Sequence, residues 1–347
     1  MNTIGFHGAD GAYAEDAILE LTSSHPSFTQ HAFCTEGFDT MVELFASVQR
    51  GTVRHGLIPI ENSLSGTMHS VLELFSQQEP RLWVVGEYAC SESHYIMARE
   101  GTNLKDIIEI QSHPAVLEQC QDFLDSTLPE GYRAVLASNT ASAAEFVAKT
   151  DELGVAALAG RRAAQLHNLT ILGTDTTPNN VTRYWLISRH PVLQPDRNMS
   201  PKSSFALVMK NQVGALHRVC ACFALRDINI SKLESRPSSR TITLASPWEY
   251  ITYIDIEGAP GNEDNVRRAV ENLQEFTQKC IHLGSYPRYY TCGDDLGYMI
   301  HMPLLKHTTN CTPTTTLPFN SIWIDICMAT DAEDRCSHRK KARYLFL

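Results

Sequence analysis

Pro178-Asn179-Asn180-Val181-Thr182-Arg183-Tyr184 lies between two strand-like runs, 170–173 before it and 184–188 after it. The asparagines suit a turn, because their side chains hydrogen-bond nearby backbone. Val181 and Thr182 are β-branched and fit a strand entry. Arg183 brings a rigid five-donor fork whose geometry matches a carboxylate. No His, Cys, Lys or paired carboxylate adjoins the run. Chemistry built here therefore works through hydrogen bonds and fixed charge rather than a strong nucleophile or a metal. Taken alone, the heptapeptide reads most simply as a polar turn feeding an edge strand.

The runs on either side belong to a longer alternation. A strand over 2–6 is followed by a tight turn at Gly8, Gly11 and Ala12 and a helix over 13–21. The two glycines do not form GxGxxG and no phosphate-loop lysine follows, so a nucleotide site is not supported. An amphipathic helix over 38–48 leads to a buried strand over 56–60. That strand runs into Glu61-Asn62-Ser63-Leu64-Ser65-Gly66-Thr67, which opens a helix over 68–75 with Thr67 as its N-cap. Polar groups crowded between the carboxyl end of a strand and the amino end of a helix are where α/β proteins place ligands. Strands over 82–85, 95–98 and 107–111 come next. Ser112-His113-Pro114 then enters a helix over 115–124, with Ser112 as cap and Pro114 in its first turn. A strand over 133–137 passes through Ser138-Asn139-Thr140 into a helix over 141–149, and a strand over 155–158 into a helix over 159–167. The alternation predicts parallel sheets in two α/β lobes with a cleft between them. One lobe takes about 1–80 and, on the chain's return, 170–189; the other takes 81–169.

Residues 190–201 are rich in proline and nearly free of apolar side chains after Leu193, and read as a linker. Beyond it the pattern changes. A strand over 205–209, a helix from Val213-Gly214-Ala215-Leu216 to 225, strands over 228–233 and 250–256, a helix over 262–278 and a strand over 281–283 give βαββαβ, the ferredoxin-like plan, over 202–288. The stretch 289–347 breaks this logic. It holds Cys292, Cys311, Cys327 and Cys336, a Thr-rich patch at 312–316, and a basic run of Arg335, Arg339, Lys340, Lys341 and Arg343. It reads as an extension with little fixed structure and one strand over 322–327.

Composition bounds the function. A chain of 347 residues accommodates two or three domains, and 43% hydrophobic with 20% charged residues is ordinary for a globular protein. A net charge of -10 argues against nucleic acid or an anionic membrane surface as partner, while a local Arg still suits an anionic small substrate. No apolar run approaches the roughly 18 residues that span a bilayer. The N-terminus lacks a signal-peptide pattern. The cysteines are scattered without CxxC and read as reduced intracellular thiols. No HxxxH or HxH pair suggests zinc. No metal and no cofactor is expected.

These stretches together resemble the prephenate dehydratase family, from about Asn2 to Pro287. Gly8-Ala9-Asp10-Gly11-Ala12-Tyr13 resembles its opening loop, and Pro59-Ile60-Glu61-Asn62-Ser63 with Ser65-Gly66-Thr67 its first signature. Ser112-His113-Pro114 with Gln119-Cys120 resembles the second, and Asn180-Val181-Thr182-Arg183-Tyr184 the third, with Tyr184 where Phe is usual. Residues 202–288 resemble a phenylalanine-sensing ACT regulatory domain, with signatures Gly214-Ala215-Leu216-His217 and Glu234-Ser235-Arg236-Pro237. His217 stands where an aliphatic or Phe residue is more usual.

The resemblance implies an enzyme that removes carbon dioxide and the ring hydroxyl from prephenate to give phenylpyruvate, in phenylalanine biosynthesis. A close branch acts on arogenate and gives phenylalanine directly. Aromatisation supplies the driving force, so the protein must hold the diacid, desolvate the ring carboxylate and assist the leaving hydroxyl. Thr182 is the expected donor to the leaving oxygen, by positioned hydrogen bonding that strengthens in the transition state. Glu61 is the alternative acid if burial raises its pKa, or else a surface or helix-end carboxylate. Arg183 either clamps a substrate carboxylate or braces the cleft. Asn62 joins these as a catalytic residue. Ser63, Ser65, Gly66, Thr67, Ser112, Gln119, Thr140 and Asn180 are assigned to substrate binding.

By the same resemblance L-phenylalanine is the effector, and the ACT domains pair into a homodimer or build a tetramer. Gly214 lets backbone approach closely and opens a helix whose free amides suit a carboxylate. Asn229 takes the ammonium, Ala215 and Leu216 flank the ring, and Glu234, Ser235, Arg236 and Pro237 communicate with the catalytic lobes. The expected compartment is the cytoplasm, or a plastid if a presequence precedes this chain. No chorismate mutase segment precedes Met1, so a bifunctional enzyme is not expected. Two other classes share parts of the pattern. A two-lobed cleft is also the plan of solute-binding proteins, against which stand the missing signal pattern and the ACT-like domain. An ACT domain also occurs on transcription regulators, but no basic helix-turn-helix accompanies it here.

Overall fold

The Asn-Val-Thr-Arg run enters a central strand, not an edge strand. A computed structural model describes residues 2–24, 28, 32–175, 180–237 and 249–290. Pro178, Asn179 and the 322–327 strand expected from sequence lie outside them. In chain order the strands are β1 (Asn2–His7), β2 (Phe33–Phe38), β3 (His55–Asn62), β4 (Gly66–Thr67), β5 (Trp83–Ser91), β6 (His94–Ala98), β7 (Glu109–Ser112) and β8 (Arg133–Leu136). β9 (Val155–Ala159), β10 (Thr170–Asp175), β11 (Val181–Ser188), β12 (Lys202–Met209), β13 (Ile230–Pro237), β14 (Tyr250–Glu257), β15 (Thr277–Tyr286) and β16 (Arg288–Tyr290) follow.

They form three sheets. The first has the order β16-β5-β11-β3-β1-β2, with β4 hairpinned onto β3. The second has the order β10-β6-β9-β7-β8. The expected two lobes are therefore present, but the sheets are mixed. β11 runs antiparallel to both its neighbours, and β6 runs antiparallel to β9 and β10. Two strands also change lobe relative to the sequence reading. Trp83–Ser91 pairs along its length with β11 in the first sheet, and Thr170–Asp175 pairs with β6 in the second. The chain thus crosses between lobes at Glu92-Ser93 and again between Asp175 and Val181. The Glu92 amide donates to the Asn180 carbonyl at 2.8 Å, tying the first crossing to the residue that leads into β11.

The third sheet, β13-β14-β12-β15, is antiparallel throughout and carries the helices Ala215–Ala224 and Asp264–Phe276 on one face. This is the expected ferredoxin-like βαββαβ arrangement. Its other face packs on the first lobe: Ala206, Ile251, Tyr253 and Tyr286 join Phe45, Phe75 and Trp185 in one apolar core. The two faces of β11 serve different neighbours. Tyr184 and Leu186 pack with Phe6, Ile18 and Tyr88 beneath the helix Tyr13–Ser24, while Trp185 and Ile187 pack toward the third sheet.

Local chemistry adjusted several expected boundaries. The helix expected over 115–124 is two, Pro114–Gln119 and Gln121–Thr127, meeting at Cys120 with φ -102°. Its first cap is His113, not Ser112, whose hydroxyl is taken up by the Leu158 carbonyl at 2.6 Å. Met68 precedes the helix His69–Ser76 without a side-chain cap, because the Thr67 hydroxyl binds Lys232 and Glu234 instead. Tyr289, read from sequence as the start of an irregular extension, belongs to the body: β16 pairs with β5, and the buried Tyr289 ring packs 5.3 Å from Phe28. Among the described residues no helix is long and apolar enough to cross a membrane.

Candidate active site

One irregularity in β3 decides what reaches the cleft. Thr182 lies opposite Asn62 and Arg183 opposite Glu61, but Tyr184 lies opposite Pro59, so Ile60 is an extra residue in β3. Such a bulge places two successive residues on the same side of the strand. Strict alternation would put Glu61 beside Leu57 and Pro59 on the cleft side and bury Asn62 with Ile58 and Ile60. The bulge reverses both. Thr182 and Asn62 face the cleft, and Arg183 and Glu61 face the third sheet.

On the cleft side the Asn62 amide nitrogen donates to the Thr182 hydroxyl oxygen at 2.9 Å and to the Asn180 side-chain oxygen at 2.8 Å. The Asn62 Oδ1 accepts from the backbone amides of Leu64 and Ser65, at 2.9 and 3.0 Å, so one side chain also fixes the turn into β4. Gly66 completes that turn with φ 82°, a conformation other residues adopt only with strain. Asn62, Asn180 and Thr182 are all at least 95% buried, so each hydrogen bond is needed to offset desolvation. Asn180 Nδ2 stands 3.0 Å from His94 Nε2, which is also 3.1 Å from Gln119 Oε1. The other ring nitrogen of His94 faces the Tyr13 hydroxyl. Burial lowers the His94 pKa, against the pull of Gln119 and Asp175, and favours the neutral ring.

Of these groups Asn62, Thr182, Gln119 and Tyr13 border a cavity of about 300 Å³ between the lobes. Of the residues anticipated from sequence, Asn62, Ser65, Gln119, Thr140 and Thr182 line it. Asn180 supports it from behind. Ser63 instead ties β3 to β11, its hydroxyl accepting from the Val181 amide at 2.9 Å. Gly66, Thr67 and Ser112 are not among its lining residues. His94, Glu92 and Tyr13 were not singled out as site residues, although Tyr13 was quoted in the opening loop. The polar run Ser91-Glu92-Ser93-His94 between two apolar strands was the available signal for the first two. A second cavity, of about 600 Å³, opens beyond the crossover, and Tyr13 and Glu92 line both.

On the opposite face Arg183 donates to Glu61, to Glu87 at 3.2 Å and to Asp255 of β14 at 3.1 Å. Lys202 reaches Glu87 at 3.0 Å, and Lys232 reaches Glu61 at 2.9 Å. Burial would raise the Glu61 pKa, but Arg183 and Lys232 outweigh it and hold the carboxyl below its ordinary range. A carboxylate held ionised in this way is a poor proton donor, and neither Glu61 nor Arg183 lines the cleft.

The expected effector residues fall into two groups. Gly214, with φ 76°, opens the helix Ala215–Ala224, while Leu216 and Asn229 are solvent-exposed. Glu234 instead reaches into the first lobe, accepting from Thr67 at 3.3 Å and lying 3.7 Å from His69. Arg236 approaches Glu73 at 3.6 Å. The Ser235 hydroxyl accepts from Thr252 at 3.3 Å, and Pro237 ends β13.

Comparison with known proteins agrees with this geometry. The family model described as prephenate dehydratase matches residues 4–192. A chloroplastic arogenate dehydratase/prephenate dehydratase of Arabidopsis thaliana is 33% identical over 290 residues, covering 82% of this chain and 72% of that protein. The crystal structure of a prephenate dehydratase from Arthrobacter aurescens in complex with L-Phe superimposes with a TM-score of 0.71 at 27% identity, covering 82% of this chain and 90% of that one. A solved structure described as a novel type of quorum-quenching acylase gives a TM-score of 0.69 at 26% identity, covering 83% and 98%. The chain belongs to the prephenate dehydratase family.

Proposed function

We propose that the protein takes prephenate into the cleft between its lobes and releases phenylpyruvate, carbon dioxide and water, with arogenate as the alternative substrate. The observation that carries this reading is the buried Asn62–Thr182 pair at the cleft wall. A threonine hydroxyl has one proton to donate and two lone pairs. With Asn62 filling one lone pair, the O–H is oriented before substrate arrives, and a donor aimed at developing negative charge accelerates departure of the ring hydroxyl. Ser65, Gln119 and Thr140 supply neutral hydrogen-bonding groups to the polar ends of the substrate. Arg183 and Glu61 act from the far face, as a brace.

The acylase structure raises a hydrolytic alternative. Amide hydrolysis by a nucleophile needs an activated hydroxyl or thiol beside a base; the hydroxyl that His94 faces is the Tyr13 phenol, whose pKa burial raises well above its ordinary value, and its other neighbours are the amides of Gln119 and Asn180. The elimination is therefore preferred. Prephenate and arogenate offered separately to the purified protein, with products identified by mass, test the reading. Phenylpyruvate from prephenate is expected; turnover of neither substrate refutes it.

The third sheet serves as an ACT-type regulatory domain that binds L-phenylalanine and pairs with a second copy. Support comes from Gly214 at the start of its helix and from the exposed apolar side chains of Val213, Leu216 and Leu233. The Lys232, Glu234 and Arg236 side chains link β13 to the Glu61–Glu73 stretch, offering a route to the cleft.

A further inference from the structure

Glu92 sits at the first lobe crossing, on the cleft wall, and is a half-buried carboxyl. Its Oε1 accepts from the Tyr184 hydroxyl at 2.7 Å, and Glu92 and Thr182 line the same cavity. Tyr184 is 2% exposed, so its ring is held rigidly and its O–H has a fixed direction. Glu92 is thus anchored by a core tyrosine and shares the cleft wall with the hydroxyl assigned to the reaction. No Lys or Arg is hydrogen-bonded to it among the described residues, in contrast to Glu61 and Glu87.

We propose that Glu92 is the proton reservoir of the cleft: as the neutral acid it supplies a proton through the Thr182 hydroxyl to the departing ring oxygen. This rests on the dehydratase reading above. The ring C–O bond breaks with its electron pair leaving on oxygen, which takes the Thr182 proton and departs as water. The Thr182 oxygen, with one lone pair held by Asn62, takes the Glu92 proton on the other. The bond to the ring carboxylate breaks in the same event; its pair completes the aromatic ring and carbon dioxide leaves. Glu92, now a carboxylate, regains a proton from solvent once product has gone.

The surroundings favour the neutral acid. Burial raises the Glu92 pKa, and the hydrogen bond from Tyr184 offsets only part of that. Cys90 and Tyr184 on the flanking strands, Tyr13 on the adjacent helix and His94 on β6 bring no fixed positive charge, since burial lowers His94. Asp16, pushed up to about 6 by burial, and Arg161 and Arg162 line the second cavity that Glu92 also borders. A threonine alone is too weak an acid to be a proton source near neutrality; a raised carboxyl behind it is matched to that task.

The test is the pH dependence of kcat for the full-length protein and for Glu92→Gln and Tyr184→Phe. The unmodified enzyme should lose kcat as pH rises and Glu92 ionises. Glu92→Gln cannot ionise, so its kcat should fall about a hundredfold at the optimum and become flat with pH, with KM little changed. Tyr184→Phe removes a hydrogen bond that favours the carboxylate, so the alkaline limb should move to higher pH. Tyr184→Phe keeps the core ring and remains informative if Glu92→Gln does not fold. A limb unchanged in Glu92→Gln, or unmoved or shifted downward in Tyr184→Phe, overturns the proposal while leaving the dehydratase reading intact. No product from the unmodified protein overturns the dehydratase reading itself.

Discussion

The Arg183 guanidinium reaches Asp255 across two sheets at 3.1 Å, one residue along the chain from the Thr182 hydroxyl. Adjacent residues of one strand therefore serve opposite ends of the molecule, cleft on one face and C-terminal sheet on the other. The arginine side chain is 16% exposed, and those of Glu87 and Asp255 6% and 2%. Removing it leaves the buried Asp255 without a cationic partner and Glu87 with Lys202 alone. Arg183→Met should cost about 3–5 kcal/mol of unfolding free energy, read from urea titration. A variant of unchanged stability whose KM alone rises would instead make Arg183 a substrate clamp.

Acid should destabilise the fold well above the carboxylate range. Burial pushes His55 and His282 down to about 4. In the unfolded chain they take up a proton near 6.5, so between these values the unfolded state binds more protons and stability falls as pH drops. The loss approaches about 3 kcal/mol per histidine, with partial exposure reducing it. Urea midpoints between pH 7 and pH 4 should slope accordingly, and His55→Gln with His282→Gln should flatten the slope. An equal slope in the double variant would exclude this origin.

Tyr289 belongs to the body of the fold. A chain ending at Tyr290 and one ending at Arg288 differ by two residues, yet the shorter loses a buried aromatic that packs on Phe28 and over Gly86. The shorter chain should be less stable by about 3–5 kcal/mol, as for deletion of a core aromatic ring. Equal melting temperatures would show that β16 adds nothing.

L-Phenylalanine should weaken substrate binding by several-fold to about a hundredfold, the usual range of such coupling, and substrate should weaken phenylalanine binding equally. Gly214→Val should impair phenylalanine binding, because a β-branched residue is strained at φ 76°. Glu234→Gln should leave phenylalanine binding largely intact but reduce the coupling, because Glu234 contacts Thr67 and His69 rather than the Gly214 turn. Calorimetry with and without an unreactive substrate analogue measures both. Absence of binding heat at millimolar phenylalanine would leave the third sheet a structural module.

The two lobes and the ferredoxin-like sheet were legible in the sequence because they follow from strand and helix alternation, and Asn62, Thr182 and Gln119 were singled out by the contiguous motifs that resemble the family's. Three features were not. The swap of Trp83–Ser91 and Thr170–Asp175 between sheets depends on long-range strand pairing, which local pattern does not encode. The faces of Glu61 and Asn62 depend on a single bulged residue, Ile60, that alternation alone gets backwards. Glu92 in the crossover and His94 at the start of β6 fall in a stretch read as the gap between two strands, and their partners Tyr184, Asn180 and Tyr13 are remote in the chain.

The central claim, that the Thr182 hydroxyl is the group acting on the leaving oxygen, is tested most directly by the turnover of prephenate by Thr182→Ala. Thr182 is buried and small, so the variant should fold, and its melting curve checks that. The account predicts phenylpyruvate from the unmodified protein, a fall in kcat of about a hundredfold or more in Thr182→Ala with KM little changed, and partial activity in Thr182→Ser. A folded Thr182→Ala protein that releases phenylpyruvate at nearly the unmodified rate would contradict it.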